Sequence, residues 1–230
     1  MLPKDHPCRS CEVSGEALCR ALDVETLADF RNQGRRLHLS GGQTLFHQGD
    51  PADCVFSLTS GTVKLYAILP DGRRQIVSFL FPGDFVGLEA GPNHGLTAEA
   101  VGTASLCRVL ARRFEWFADR YPALADARYR LAATELSVAR EKMLMLGRKT
   151  APERMASFLS DIQRRAGFRG RDGARLVPLP MSRGDIADYL GLTKETVSRE
   201  LTNLRKARII RPLSRTLLEI LDSRRLGAAH

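Results

Sequence analysis

Hydrophobic and polar positions change rhythm along the chain, and each rhythm predicts a different architecture. From about Gly34 to Arg113, short runs such as VFSLTS, VKLYAIL, QIVSFLF and SLCRVLA are separated by turns at Gly41-Gly42, Gly49-Asp50, Asp71-Gly72, Pro82-Gly83-Asp84 and Gly91-Pro92. Short β-rich runs between glycine-centred turns predict an antiparallel roll or barrel. Ahead of them lies a cysteine-bearing segment, with a short helix predicted over Val24–Gln33.

The rhythm then lengthens into a helix predicted from Pro122, where proline suits the first turn, to about Leu146. Ala125, Tyr129, Ala132, Leu136, Ala139, Met143 and Leu146 recur alternately four and three apart. That is the heptad spacing of a helix packed against a twin, although the same stripe also suits packing on the chain's own roll. A second apolar line through Leu131, Val138 and Met145 is available for the roll, which leaves the first for a second copy of the chain. Thr150-Ala-Pro-Glu153 has the spacing of a capping box and opens another helix, ending near Gly167.

The segment Ser182 to Arg208, SRGDIADYLGLTKETVSRELTNLRKAR, predicts two short helices about one tight turn. Ser182 stands as N-cap before Ile186, Ala187 and Leu190, Gly191 supplies the turn, and Thr193 caps a second helix with Val197, Leu201 and Leu204 on one face. This is a helix-turn-helix, whose second helix enters the major groove of double-stranded DNA. Ile209 to Leu221 reads as a β-hairpin, with Arg211 and Arg215 placed to meet phosphates, making the module winged.

Charge sharpens the reading. Residues 1–147 carry 17 Lys+Arg and 17 Asp+Glu, whereas 148–230 carry 18 and 9, so the net +9 belongs to the C-terminal part and implies a polyanionic partner. The expected class is therefore α+β. Its parts are an N-terminal segment (1–33), an antiparallel β-roll (34–120), a dimerisation helix (121–147) and a winged helix-turn-helix (148–230). No Ser-His-Asp grouping, Walker loop or HExxH occurs, so an enzyme is not expected. No apolar run approaches the roughly 18 to 20 residues of a membrane span, and MLPKDHPCRSC lacks the apolar core of a signal peptide. A cytoplasmic location is expected, with no membrane partner and with largely reduced cysteines at positions 8, 11, 19, 54 and 107.

Roll, long helix and winged helix-turn-helix in this order resemble the CRP/FNR superfamily of bacterial transcription regulators over almost the whole length. GGQTLFHQGDPAD at 41–53 is similar to that family's first roll turn, and SGTVKLY at 60–66 to its central strand. PGDFVGLE at 82–89 is similar to the strand and turn over its effector cavity. RGDIADYLGLTKETVSRELTNLRK matches its helix-turn-helix almost residue by residue. Cyclic-nucleotide-binding members hold the phosphate with an arginine before a small hydroxyl residue; here Leu96 precedes Thr97, so no cyclic nucleotide is expected.

Within the superfamily the chain resembles the FNR branch, with the FixK- and FnrN-type regulators. That resemblance implies an oxygen-labile [4Fe-4S] cluster held by Cys8, Cys11, Cys19 and Cys107. Four thiolates suit such a cluster because each iron of the cube takes one soft donor. The seven residues between Cys11 and Cys19 depart from the enteric members and resemble FnrN-type relatives. Other chemistries also fit: zinc on the three N-terminal cysteines with His6, a metal-free thiol switch, or a cluster-free FixK-type regulator set by its own abundance. Cys54 lies outside the pattern and reads as structural.

On DNA, Arg199 is suited to a guanine edge, Glu195 to a cytosine amino group and Ser198 to a thymine. Matched to the family's motif, these three imply a palindrome close to TTGAT-N4-ATCAA. Ser182, Thr193 and Thr196 are expected on phosphates, and Lys194 on either phosphate or base. The resemblance also implies a homodimer that activates transcription at low oxygen through RNA polymerase, with the Pro70–Gln75 turn as a candidate contact. Ala139 stands where FNR proteins carry an acidic residue that opposes dimerisation.

Overall fold

A computed structural model describes residues 34–88 and 91–228. The helix expected over Val24–Gln33, together with His6, Cys8, Cys11 and Cys19, lies outside the described residues. The chain divides into two compact units, one running to Ala67 and resuming over Val77–Leu136, the other joining Ile68–Ile76 to Ser137 and beyond.

The short runs become β1 (Arg35–Leu39), β2 (Thr44–Phe46), β3 (Cys54–Ser60), β4 (Val63–Ile68), β5 (Arg74–Leu80), β6 (Phe85–Val86), β7 (Thr97–Ala100) and β8 (Ala104–Leu110), of which only the end of β4 and the start of β5, within Ile68–Ile76, fall in the second unit. They form two four-stranded sheets, ordered β1-β8-β3-β6 and β2-β7-β4-β5. First pairs with last, β1 with β8, and β2 with β7, both antiparallel, which is the topology of a roll. Phe46, Phe56, Leu58, Val63, Leu80 and Leu106 fill the core. Strand β8 serves two clusters: Ala104 and Leu106, two apart on one face, enter this core, while Val109 on the other face joins Val55 and Phe85.

Helix α1 (Ala111–Arg120) follows β8 and buries Phe114 and Phe117 against Val55, Phe85 and Val109. It stops at Tyr121, whose backbone is extended (φ −121°, ψ 98°), because the residue before a proline is excluded from the helical region. Pro122 then opens α2 (Pro122–Arg148). Leu124 and Leu131 pack against the same roll cluster. The heptad positions stay in water: Tyr129 is 76% exposed, Leu136 52% and Met143 65%, with Ala132 and Ala139 exposed between them and Ala125 and Leu146 half-buried. The second apolar line divides, since Val138 is exposed and Met145 is buried in the second unit.

The second unit contains α3 (Ala151–Ala166), β9 (Phe168–Arg169), β10 (Arg175–Pro178), α4 (Arg183–Leu190), α5 (Lys194–Lys206), β11 (Ile210–Pro212), β12 (Leu217–Ile220) and α6 (Ser223–Ala228). Thr150 caps α3, with the Glu153 carboxylate accepting from the Thr150 backbone N–H and hydroxyl, both at 2.7 Å. Met155, Phe158, Leu159 and Ile162 of α3 are buried, as are Ile186, Leu190 and Val197 of the helical pair. The expected hairpin forms, with Ile210 opposite Ile220, and a second hairpin of β9 and β10 extends it to the sheet β11-β12-β10-β9. Among the described residues, no helix is long and apolar enough to cross a membrane.

Arg154 joins three chain ends inside this unit. Its Nε donates to Lys149 O, one Nη to Leu190 O and the other to Leu146 O, each at 2.9 Å. Helices end with unpaired carbonyls and partial negative charge, so one guanidinium here satisfies the ends of α2 and α4 together. Arg154→Met is expected to destabilise the second unit by about 2–4 kcal/mol, as hydrogen bonds to a charged group are lost and carbonyls are left unmet. A lowered urea midpoint, followed by circular dichroism, is the measurement.

Candidate nucleic-acid interface

The helical pair is built from local polar chemistry. Ser182 Oγ accepts from Asp185 N at 3.0 Å and donates to Asp185 Oδ2 at 2.7 Å, while Ser182 N donates to the same carboxylate at 3.0 Å. This reciprocal cap starts α4. The helix ends at Gly191, which adopts the left-handed region (φ 62°, ψ 43°), and Leu192 N returns to Ala187 O at 3.0 Å. Thr193 Oγ1 accepts from Thr196 N at 3.2 Å and starts α5 two residues later. At Gly184 an added Cβ would lie 2.9 Å from Lys194 Cε, so the lysine stem crosses the start of α4.

Helix α5 buries Val197, Glu200 and Leu201, which turns Lys194, Glu195, Ser198 and Arg199 to solvent. The Arg199 side chain is 63% exposed and held only loosely, 3.4 Å from Glu200 Oε1 and 3.3 Å from Thr196 Oγ1. Ser198 Oγ donates to Lys194 O at 2.8 Å, which leaves its lone pairs outward. The Glu195 carboxyl is held below the ordinary range by its own backbone N–H and then by the Thr193 hydroxyl, so it stands as an anionic acceptor. Thr193 is exposed and Thr196 half-buried; the Ser182 hydroxyl, exposed but engaged by Asp185, has less to offer a phosphate than the sequence suggested.

Lys206, Arg208 and Arg215 of the same unit are exposed as well. Arg211 is exposed, and its Nε also donates to the buried Glu219 carboxylate at 2.7 Å, so part of its charge is engaged within the wing. Sequence reading also missed Arg74, which bridges Asp185 Oδ1 and Asp188 Oδ2, both at 2.8 Å, while Gln75 Nε2 donates to Asp188 O at 2.8 Å. No local pattern announces these pairs, since the partners stand more than a hundred residues apart.

In the roll, Cys107 is half-buried on β8 opposite Arg36 and Ser57. Cys54 is buried and accepts from Arg108 Nε at 3.0 Å, consistent with a structural role. Among the described residues neither forms a disulfide, and no group of three or more His, Cys, Asp or Glu is placed to hold a metal. Thr97 Oγ1 accepts from Gln48 N at 3.0 Å, beside the half-buried Leu96.

Residues 36–121 match the family described as cyclic nucleotide-binding domain, and residues 153–229 the Crp-like helix-turn-helix domain. The chain is 42% identical over 204 residues to the nitrogen fixation regulation protein FixK of Bradyrhizobium diazoefficiens, spanning 89% of this chain and 86% of that one. It is 36% identical to the transcriptional activator protein FnrL of Cereibacter sphaeroides over 89% and 84% of the two chains. The solved structure of FixK2 from Bradyrhizobium japonicum aligns with a TM-score of 0.80 at 38% identity, covering 85% of this chain and 96% of that chain.

Gly191→Ala is expected to cost about 1–2 kcal/mol, since the added Cβ meets only ordinary contacts and the penalty is left-handed strain. Gly191→Asn is expected to recover part of it. Thermal midpoints of the two variants against wild type test the ranking.

Proposed function

The chain belongs to the CRP/FNR family of transcription regulators, which are not enzymes, and on that premise we propose that it is a homodimeric activator working at low oxygen. The observation that carries the reading is the outward row Glu195, Ser198 and Arg199 on a helix whose seat is set by the Gly191 turn. Arg199 reads a guanine, Glu195 a cytosine amino group and Ser198 a thymine in a TTGAT-N4-ATCAA-like palindrome. Thr193, Lys194 and Thr196 lie beside that row and position it on the backbone, with Ser182 in a lesser part. Two such helices must meet half-sites about one helical turn apart, so the reading requires a dimer. The seam of α2, Ala125 to Leu146, supports one: from Tyr129 to Met143 it exposes alternating large and small apolar side chains at heptad spacing. The activator role is supported by the likeness to the transcriptional activator protein FnrL and to the transcriptional activatory protein AadR of Rhodopseudomonas palustris, and an activator of this kind works through RNA polymerase.

Cysteine chemistry supplies the input. Cys107 is half-buried and not in a disulfide, and its thiol is of the donor type an iron-sulfur cluster takes; Cys54, buried and engaged by Arg108, is unsuited to the same part. Cys8, Cys11 and Cys19 would complete the set as a [4Fe-4S] site, and the bound cluster would supply an oxygen-sensitive link between the N-terminal segment and β8. Leu96 and the engaged Thr97 hydroxyl favour no cyclic nucleotide in the roll. A second reading, a cluster-free regulator controlled by abundance or by a thiol switch, is favoured by the 42% identity to FixK.

Anaerobic purification with iron and sulfide assays decides between the two. About four of each per chain, with visible absorption bleached by air, is expected for the cluster; metal-free, colourless protein would leave the second reading. On a duplex carrying the palindrome, Arg199→Ala is expected to lose about 1–3 kcal/mol of preference over a scrambled duplex while nonspecific binding keeps its salt dependence. Fluorescence anisotropy at two salt concentrations measures both, and retained preference refutes the assignment.

A further inference from the structure

Within the second unit a cavity of about 410 Å3 opens between the C-terminal half of α2, α3 and Tyr189 of α4. The volume is that of a small-molecule site. Its apolar wall comes from Val138, Met145, Phe158 and the Tyr189 ring, with the two rings 5.5 Å apart and tilted by 53°. Lys142 is among its lining residues. The ammonium lies 3.5 Å from the Tyr189 ring centroid and donates to Ile76 O at 3.0 Å.

The charged groups around Lys142 are unequally committed. On α3, Asp161 pairs with Arg164 at 2.5 Å and Arg165 at 3.6 Å. On α4, Asp185 and Asp188 hold Arg74 from the 68–76 segment. Glu141 stands on α2 at the exposed rim, and Lys149 donates to Ser157 Oγ at 2.8 Å, adding a second cation to the wall. Burial outweighs the attraction of Asp161 and holds the Lys142 amine down to about 7. The half-buried Lys142 therefore borders a cavity whose wall also carries Glu141, Lys149, Asp161 and Arg164, and Asp161 is shared by two arginines.

We propose that this cavity binds a small carboxylate with a flat apolar body, its charge against Lys142 and its body against Met145, Phe158 and Tyr189. The apolar wall contributes burial, and the anion adds a countercharge that Asp161, shared with two arginines, supplies only in part. Binding then couples to protonation. An anion beside the amine favours its charged form, so the complex takes up a proton where the free protein is largely neutral, and affinity falls as pH rises through 7.

Isothermal titration of the full chain with sodium benzoate tests this without reference to DNA binding. Saturable binding near or below about 1 mM at pH 6.5 is expected, weakening about tenfold at pH 8.5. The heat should vary with the ionisation enthalpy of the buffer at pH 8, which reports proton uptake. Benzyl alcohol, the neutral counterpart, should bind at least tenfold more weakly at pH 6.5. Lys142→Met keeps the apolar stem and removes the charge; it should retain the wild-type thermal midpoint or exceed it, and lose benzoate selectivity. Absence of saturation at pH 6.5, equal affinity for benzyl alcohol, or a pH-independent affinity in wild type each overturns the proposal. All three rest on wild-type protein alone and stand whether or not the variant folds.

Discussion

A single guanidinium closes the ends of two helices and the connector between α2 and α3. Arg154 reaches Leu146 O at the end of α2, Lys149 O just beyond it, and Leu190 O at the end of α4. Carbonyls at helix ends carry concentrated partial negative charge and have no partner within their own helix, so the arginine is at once a donor set and a countercharge. Because α4 ends where Arg154 holds it, Gly191 must turn there, and the turn sets the start of α5. The direction in which Glu195, Ser198 and Arg199 face is thus inherited from one half-buried fork of hydrogen bonds.

The same economy governs the other charges of the second unit. Each buried carboxylate has a cation: Asp185 takes Arg74, Glu200 takes Arg199 at long range, and Glu219 takes Arg211. Burying them unpaired would be costly, so these cations are partly withdrawn from any external partner. Arg199 is the instructive case, because its contact is loose at 3.4 Å and its side chain mostly exposed, which leaves it free to trade that contact for a base edge. Arg211 is similarly exposed but is held more tightly, at 2.7 Å.

Helix α2 belongs to two environments. Its first turns sink Leu124 and Leu131 into the roll cluster, and Met145 near its end is buried in the second unit. Between them Tyr129, Leu136 and Met143 remain exposed along one stripe. An apolar stripe of this regularity is unfavourable in water, and a twin helix is the simplest cover for it. The sensor chemistry proposed at Cys107 and the DNA reading proposed at α5 are joined in the chain by this one helix, which is why its packing is the natural place for control.

Much of the fold is legible in the amino-acid sequence. The roll's strands follow from short β-rich runs broken by glycine turns, α2 from Pro122 and the heptad, α3 from Thr150 and Glu153, and the helical pair from Ser182, Gly191 and Thr193, all within a few residues of the elements they define. Those signals are local: caps, turns and periodicity act over one or two turns of chain, so adjacent residues carry them. The exposed face of α5 is legible for the same reason, since burying Val197 and Leu201 turns Glu195, Ser198 and Arg199 outward. What the sequence could not determine is which distant groups meet. Arg74 with Asp185, Arg154 with Leu190, Arg211 with Glu219 and Lys142 with Tyr189 depend on where packing brings whole elements, and the β9–β10 hairpin depends on an edge that β12 provides. Charges and donors carry no record in sequence of their partners across space; only burial, by making an unmet charge costly, selects the pairs.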